Sequence, residues 1–285
     1  MGECVMLLGI IAGMSLLSAL FACAGTKAWI GFSWLWILPV SFVGTFLILA
    51  ALVFVFVWAA CAVVRLDVPQ EKDSPFYRRM VYLLAEAALT IVQARVHTKG
   101  LEKTPKQGRF LLVCNHLNDL DPVTLLHFFN KSQLAFISKR ENSSMFLVGK
   151  LMHKIMCQLV HRENDREALK TILKCIQLIR EDQVSIAVFP EGYTSVTGKL
   201  QPFRHGVFKI AQKTQVPIVV CTLKNTQFVF HNALRLKPTD VHLHLLDVIT
   251  PQDYMGQTAV ELGERIHAMM LEDLGPEYAP AQENP

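Results

Sequence analysis

Two stretches of the chain carry no charged residue: 19 positions at 5–23 and 25 positions at 40–64. As helices, each is long enough to cross a hydrocarbon layer roughly 30 Å thick. Between them Gly25, Thr26 and Lys27 read as a polar turn and Trp29, Trp34 and Trp36 as an aromatic belt at a membrane surface, with Pro39 marking the start of the second span. Basic residues gather after that span at Arg65, Lys72, Arg78 and Arg79, against one lysine in the turn. The positive-inside tendency therefore predicts an integral membrane protein whose N-terminus and globular part both face the cytoplasm. A cleaved leader is the alternative, since Ala22-Cys23-Ala24 has a small-x-small pattern; only Glu3, and no Lys or Arg, precedes the apolar run, which weighs against it.

Beyond the spans the period changes. Ser74 and Pro75 supply a capping side chain and a first-turn proline, and apolar residues follow at 76, 80, 83, 84, 87, 88 and 91. This is a helical stripe, with Arg78, Arg79 and Glu86 off it; it predicts a helix packed on the domain, or alternatively one lying along a bilayer. From residue 93 short β-branched runs alternate with helical stretches, the pattern of an α/β domain with a mostly parallel sheet. Strands are predicted at 110–114, 134–138, 157–161, 184–189, 217–223 and 242–248, and helices at 122–129, 144–155, 165–179, 206–213 and 257–271. The fold class is thus α/β, an N-terminal transmembrane helical hairpin followed by a cytoplasmic α/β domain. Its divisions are an anchor at 1–65, a linker with the amphipathic helix at 66–95, the main domain at 96–275 and a disordered tail at 276–285.

Composition narrows the function. Hydrophobic residues make up 52% of the 285 positions, more than a soluble core needs, which fits two segments in lipid. A net charge of +4 without a long basic block argues against nucleic acid as a partner, while anionic lipid or a phosphorylated substrate stays compatible. The seven cysteines are scattered and form no C-x-x-C pair, so they read as reduced thiols. No cluster has metal-ligand spacing, and no metal or other cofactor is expected.

Candidate chemistry sits at strand ends. The strand at 110–114 runs into Asn115-His116-Leu117-Asn118-Asp119-Leu120-Asp121-Pro122. A loop and a first helical turn can fold the Asp121 carboxylate onto one ring nitrogen of His116, leaving the other to take a proton from an alcohol attacking an acyl carbonyl. Alternatively Asp121 caps the helix at Pro122 and His116 is an ordinary loop histidine; both readings can hold. Cys114 paired with His116 as a thiol nucleophile is a third reading, against which stands its apolar mid-strand setting. A second strand ends in Phe189-Pro190-Glu191-Gly192-Tyr193-Thr194-Ser195, where Glu191 can accept from a substrate hydroxyl and Gly192 admits close backbone approach, or the segment is simply a tight turn. Lys139, Arg140, Arg162 and Arg204 follow other strands; arginine grips phosphate bidentately, although isolated surface cations are ordinarily just solvated.

In order along the chain, these motifs resemble the glycerol-phosphate and lysophosphatidate acyltransferase superfamily, over roughly residues 96–223. Asn115-His116 with Asp121 is similar to its H-x4-D motif, Leu159-Val160-His161-Arg162 to its second motif, Phe189-Pro190-Glu191-Gly192 to its third, and Val216-Pro217-Ile218-Val219 to its fourth. The resemblance implies catalytic roles for His116 and Asp121, substrate contacts for Arg162, Glu191 and Gly192, and a structural Pro217 at the base of the pocket. Ser138-Lys139-Arg140-Glu141 is similar to a family segment whose lysine lies near the acceptor's phosphate. The stretch containing Phe203-Arg204-His205 resembles the one that follows the third motif, so Lys139 and Arg204 join the candidate binding residues. One departure stands out: where the superfamily usually continues the third motif with threonine, arginine and serine, this chain has Tyr193, Thr194 and Ser195.

The implied reaction is transfer of a fatty acyl group from acyl-coenzyme A or acyl carrier protein to 1-acylglycerol 3-phosphate, forming phosphatidate at the bilayer. Other lysolipids or amino-lipids are alternative acceptors, motivated by the missing arginine. A catalytically silent membrane scaffold is the alternative of another class, against which stand His116, Asp121, Glu191 and Arg162.

Overall fold

The computed structural model describes residues 3–160 and 165–279. The chain divides into two compact units, Met1–Asp67 and Val68–Pro285, against a boundary drawn after residue 65 from the sequence.

The first unit is a pair of helices, α1 (Glu3–Gly25) and α2 (Trp34–Ala62), packed on one another. Each is long and apolar enough to cross a membrane. Helix α2 starts earlier than the uncharged run implied: Trp34 and Trp36 lie in its first turn and Pro39 lies inside it. Proline removes one backbone hydrogen bond there, a loss that an otherwise uninterrupted apolar helix tolerates. Thr45 Oγ1 donates to Ser18 Oγ at 3.0 Å across the pair, and the Trp29 and Trp34 rings stack at 6.1 Å.

The second unit layers helices on both faces of a seven-stranded sheet. Its strands are β1 (Ala94–Lys99), β2 (Leu111–Cys114), β3 (Leu134–Lys139), β4 (Gln158–Val160), β5 (Ser185–Val188), β6 (Ile218–Lys224) and β7 (Thr239–Ile249), in the order β1-β7-β6-β2-β5-β3-β4. The run from β6 to β4 is parallel; β7 pairs antiparallel with β6, and β1 pairs parallel with β7 at the edge. The central strand β2 is apolar at every position because both of its faces are covered. In β2, Leu111 and Val113 join one core cluster, whereas Leu112 and Cys114 join the other.

One face is packed by α6 (Asp165–Arg180), α7 (Lys209–Thr214) and α9 (Ala259–Leu274), the other by α3 (Pro75–Ile91), α4 (Leu120–Phe128) and the short α8 (Val229–Ala233). Helix α5 (Phe146–Lys154) runs between β3 and β4. Strand β1 escaped the sequence reading because Ala-Arg-Val-His-Thr-Lys has only two apolar positions, as suits an edge strand that sheds unwanted pairing through its charges.

Helix α3 corrects two expectations. Ser74 occupies the N-cap position without a side-chain cap bond. The buried face is also rotated from the expected stripe: Phe76 and Ile91 are exposed, while Arg78 and Glu86 are buried. Arg78 is buried because its guanidinium is satisfied, donating to both Asp73 carboxylate oxygens and to the carbonyls of Leu134 and Ile155. That clasp ties α3 to the start of β3 and the end of α5, making the helix part of the domain core. At the other end, Pro276–Tyr278, at the start of the tail expected to be disordered, forms a 3-10 turn; residues 280–285 of that tail lie outside the described residues. Tyr278 is buried, and its carbonyl accepts the Leu200 N–H at 2.8 Å.

Candidate active site

Parallel pairing puts the C-terminal ends of β2, β5 and β3 along one edge, where α/β folds place ligands. There the chain leaves β2 at Asn115-His116, β5 at Phe189-Pro190-Glu191 and β3 at Lys139. Asn115, fully buried, fixes the departure of the first loop: its amide donates to Leu223 O at 2.9 Å and accepts the Leu223 N–H at 2.8 Å.

His116 Nδ1 lies 2.9 Å from Asp121 Oδ2, the carboxylate having no exposed surface. The same oxygen accepts the backbone N–H groups of Leu117 at 2.6 Å and Asn118 at 2.8 Å, so it acts as an acceptor throughout. Nδ1 therefore carries the proton and donates it to Asp121, leaving Nε2 with a lone pair. Helix α4 begins at Leu120, with Asp119 at the N-cap position two residues before the expected cap, and Asp121 sits within its first turn. Its carboxylate reaches back to the preceding loop, and the helix's first N–H, that of Leu120, is instead accepted by Asn118 Oδ1 at 2.9 Å. The ring of His116 stacks on Phe189 with centroids 4.1 Å apart, and Phe189 stacks in turn near Phe136 at 5.8 Å.

Glu191 occupies a different place from the one expected of a substrate ligand. Buried almost completely, it accepts the His116 N–H at 2.6 Å through Oε1 and the Gln201 N–H at 2.9 Å through Oε2. Burial pushes its carboxyl up to about 7, against the lowering effect of those two N–H donors. Ser195 N–H donates to the His116 carbonyl at 2.8 Å, so the third-motif loop holds the His116 backbone from both sides.

Gly192 is the hinge of that loop, with φ +82°; a Cβ there would lie 2.7 Å from Arg204 Nε, so the arginine packs directly over it. This position needs glycine both for its left-handed backbone and for the approach of Arg204.

His116 lines a cavity of about 760 Å³. Its walls are mostly apolar, including Leu126, Phe136, Ile155, Val160, Leu169 and Ile172, whereas Lys139, Arg204, His205 and Lys209 also line it. Lys139 lies 3.6 Å from Glu141 and stays half-exposed. Of the expected site residues, then, His116, Gly192, Lys139 and Arg204 line one cavity, Asp121 and Glu191 are buried against His116, and Arg162 lies outside the described residues. Pro217 does not shape the cavity floor; it stands at the opposite end of the strands, its carbonyl accepting the Leu111 N–H. Cys114 is excluded as a nucleophile by position, since it is fully buried in the core with its thiol held well up by burial.

Sequence reasoning missed two side chains. Lys209, at the start of α7, reaches the cavity from an element with no motif of its own. Thr194, noticed only for the arginine it replaces, places Oγ1 3.0 Å from His116 Nε2. Its spacing from His116 of 78 positions carries no local signal.

Residues 95–224 match the family model described as Acyltransferase. The chain is 29% identical over 167 residues to a 1-acyl-sn-glycerol-3-phosphate acyltransferase of Cocos nucifera, covering 58% of this chain and 54% of that one. It is 30% identical over 179 residues to a probable 1-acyl-sn-glycerol-3-phosphate acyltransferase of Mycoplasma pneumoniae, covering 61% and 66%. The match thus spans little more than half the length of the coconut relative. The crystal structure of the 1-acyl-sn-glycerophosphate (LPA) acyltransferase PlsC from Thermotoga maritima has the same fold, with a TM-score of 0.60 at 21% identity over 91% of this chain and 94% of that one. A histidine–carboxylate dyad at the strand ends of such a domain is an arrangement suited to general-base chemistry. Residues 95–224 thus form an Acyltransferase-family domain, and the chain is similar to 1-acyl-sn-glycerol-3-phosphate acyltransferases.

Proposed function

We propose that this chain is a membrane-anchored O-acyltransferase that moves a fatty acyl group from an acyl thioester, acyl-coenzyme A or acyl carrier protein, to 1-acylglycerol 3-phosphate. The observation that carries this reading is the dyad at the cavity: Nε2 of His116, its ring oriented by buried Asp121, beside an apolar volume of about 760 Å³. His116 Nε2 takes the proton of the acceptor hydroxyl as its oxygen attacks the thioester carbonyl, and Asp121 stabilises the imidazolium formed. The thiolate then leaves with that proton. Apolar walls suit an acyl chain, and the cations at Lys139, Arg204 and Lys209 suit a phosphate.

Glu191 is in this reading a brace of the His116 loop, its oxygens already occupied by backbone N–H groups. Helices α1 and α2 anchor the domain in the bilayer, which gives it access to a lipid acceptor, and the basic residues after α2 favour a cytoplasmic catalytic face. Acceptors without a phosphate form a second reading, supported by Thr194 at the position where the superfamily carries an arginine.

The test is transfer of labelled acyl groups from acyl-coenzyme A to a panel of lysophosphatidate, lysophospholipids, amino-lipids and monoacylglycerol. Preference for lysophosphatidate is expected; equal use of monoacylglycerol would remove the phosphate site from this account.

A further inference from the structure

We propose that Thr194 is a second nucleophile at this site. Without an acceptor, it takes the acyl group from the thioester as an ester on Oγ1 and passes it to water, so the chain is also a slow acyl-thioester hydrolase. The inference rests on the thioester donor and His116–Asp121 parts of the reading above.

Thr194 Oγ1, His116 Nε2, His116 Nδ1 and Asp121 Oδ2 form one unbroken chain, with contacts of 3.0 Å and 2.9 Å. A hydroxyl within hydrogen-bond reach of a base that a third group orients is the general arrangement of an activated nucleophile. Little can disturb it, because Phe189 stacks on the imidazole while Glu191 and Ser195 hold the His116 backbone.

Placement makes acylation hard to avoid. Direct transfer needs the acceptor oxygen within hydrogen-bond reach of Nε2 and the thioester carbon roughly 3–3.5 Å from that oxygen. Oγ1 of Thr194 already holds a hydrogen-bonding position on Nε2, so a donor poised for transfer presents its carbonyl to Oγ1 whenever the acceptor is absent. Among the described residues no acceptor takes the backbone N–H of Tyr193 or Thr194, which leaves two donors beside the nucleophile for a developing oxyanion. Arginine, which the superfamily usually carries here, has no oxygen to acylate.

In the first step Oγ1 gives its proton to Nε2, the Oγ1–C bond forms, the C–S bond breaks, and the thiolate takes the proton from Nε2. In the second, water gives a proton to Nε2, its oxygen bonds to the acyl carbon, the C–Oγ1 bond breaks, and Oγ1 recovers the proton. The sum is thioester plus water to fatty acid plus thiol.

The full chain in detergent micelles, incubated with palmitoyl-coenzyme A and no acceptor, provides the test. Acid-quenched samples are analysed by intact mass and peptide mapping, and free thiol is followed with time. One palmitoyl group on Thr194 is expected, resistant to the neutral hydroxylamine that strips cysteine thioesters, with thiol release continuing beyond one equivalent. Thr194→Val and His116→Ala should each lower that release by roughly 10²-fold, and Thr194→Ser should keep both adduct and release. Absence of a Thr194 adduct in the wild type, with equal thiol release in Thr194→Val, overturns the proposal. Transfer to lysophosphatidate, measured on the same preparation, separates the two readings. Normal transfer without adduct sinks only this inference, and adduct without transfer to any acceptor sinks only the transferase reading.

Discussion

Replacing Asp121 by asparagine separates charge from shape at the dyad. Oδ2 accepts three donors, His116 Nδ1, Leu117 N and Asn118 N, while Oδ1 is buried with no partner among the described residues. With the asparagine oxygen in the Oδ2 place all three contacts persist, and the new NH2 falls where Oδ1 stood. That donor is then buried and unsatisfied, at a cost of roughly 1–3 kcal/mol. The flipped amide would face three donors with an NH2 and is worse. The tautomer of His116 is thus kept, and what disappears is the negative charge beside the imidazolium. Two unit charges about 4 Å apart at an effective dielectric of about 20 attract by roughly 4 kcal/mol, which corresponds to a fall of about 10³ in kcat. The melting temperature should drop by roughly 2–12 °C, from the same 1–3 kcal/mol spread over a domain of this size. Steady-state kinetics with each substrate varied, beside thermal unfolding in detergent, measures both. Turnover near the wild-type level with the melting temperature lowered as expected would show that Asp121 only ties down the Leu117–Asn118 loop.

Three further outcomes follow from the same geometry. Burial raises the Glu191 carboxyl from its ordinary 4.5 to about 7, so the folded chain binds a proton that the unfolded chain releases. This contribution, about 3 kcal/mol, is full below 4.5 and lost as pH rises through 7. Glu191→Gln should flatten the melting profile over that window, and an unchanged slope would refute the assignment. Gly192→Ala sets a Cβ 2.7 Å from Arg204 Nε on a backbone with φ +82°, and should cost roughly 1–2 kcal/mol. If Arg204 serves the acceptor's phosphate, KM for lysophosphatidate should also rise by roughly tenfold, the equivalent of about 1.4 kcal/mol, while the donor's KM holds; a selective rise in the donor's KM would contradict that role. The chain should stay with membranes through high salt and alkaline carbonate, because α1 and α2 bury more apolar surface than charge contacts can hold. Recovery in the soluble fraction after salt alone would end the anchor reading.

What the sequence by itself determined was whatever repeats at short range. Uncharged runs at 5–23 and 40–64 gave the two apolar helices, and continuous apolar tetrads such as Leu111–Cys114 gave strands buried on both faces. The motif order located His116, Asp121 and the third-motif loop. Tertiary structure decided which long-range partners each side chain meets, because strand pairing brings together residues with no local relation. Glu191 lies 75 positions from His116, and only the β2–β5 pairing turns it from an apparent ligand into a brace for the histidine's backbone. The same pairing sets Thr194 on Nε2, where sequence showed only a missing arginine. Arg78 reads as a solvated charge until the Leu134 and Ile155 carbonyls, with Asp73, meet it from other elements. A side chain's polarity is written locally, but whether that polarity is spent on the protein or left for a substrate depends on the neighbours that the fold supplies.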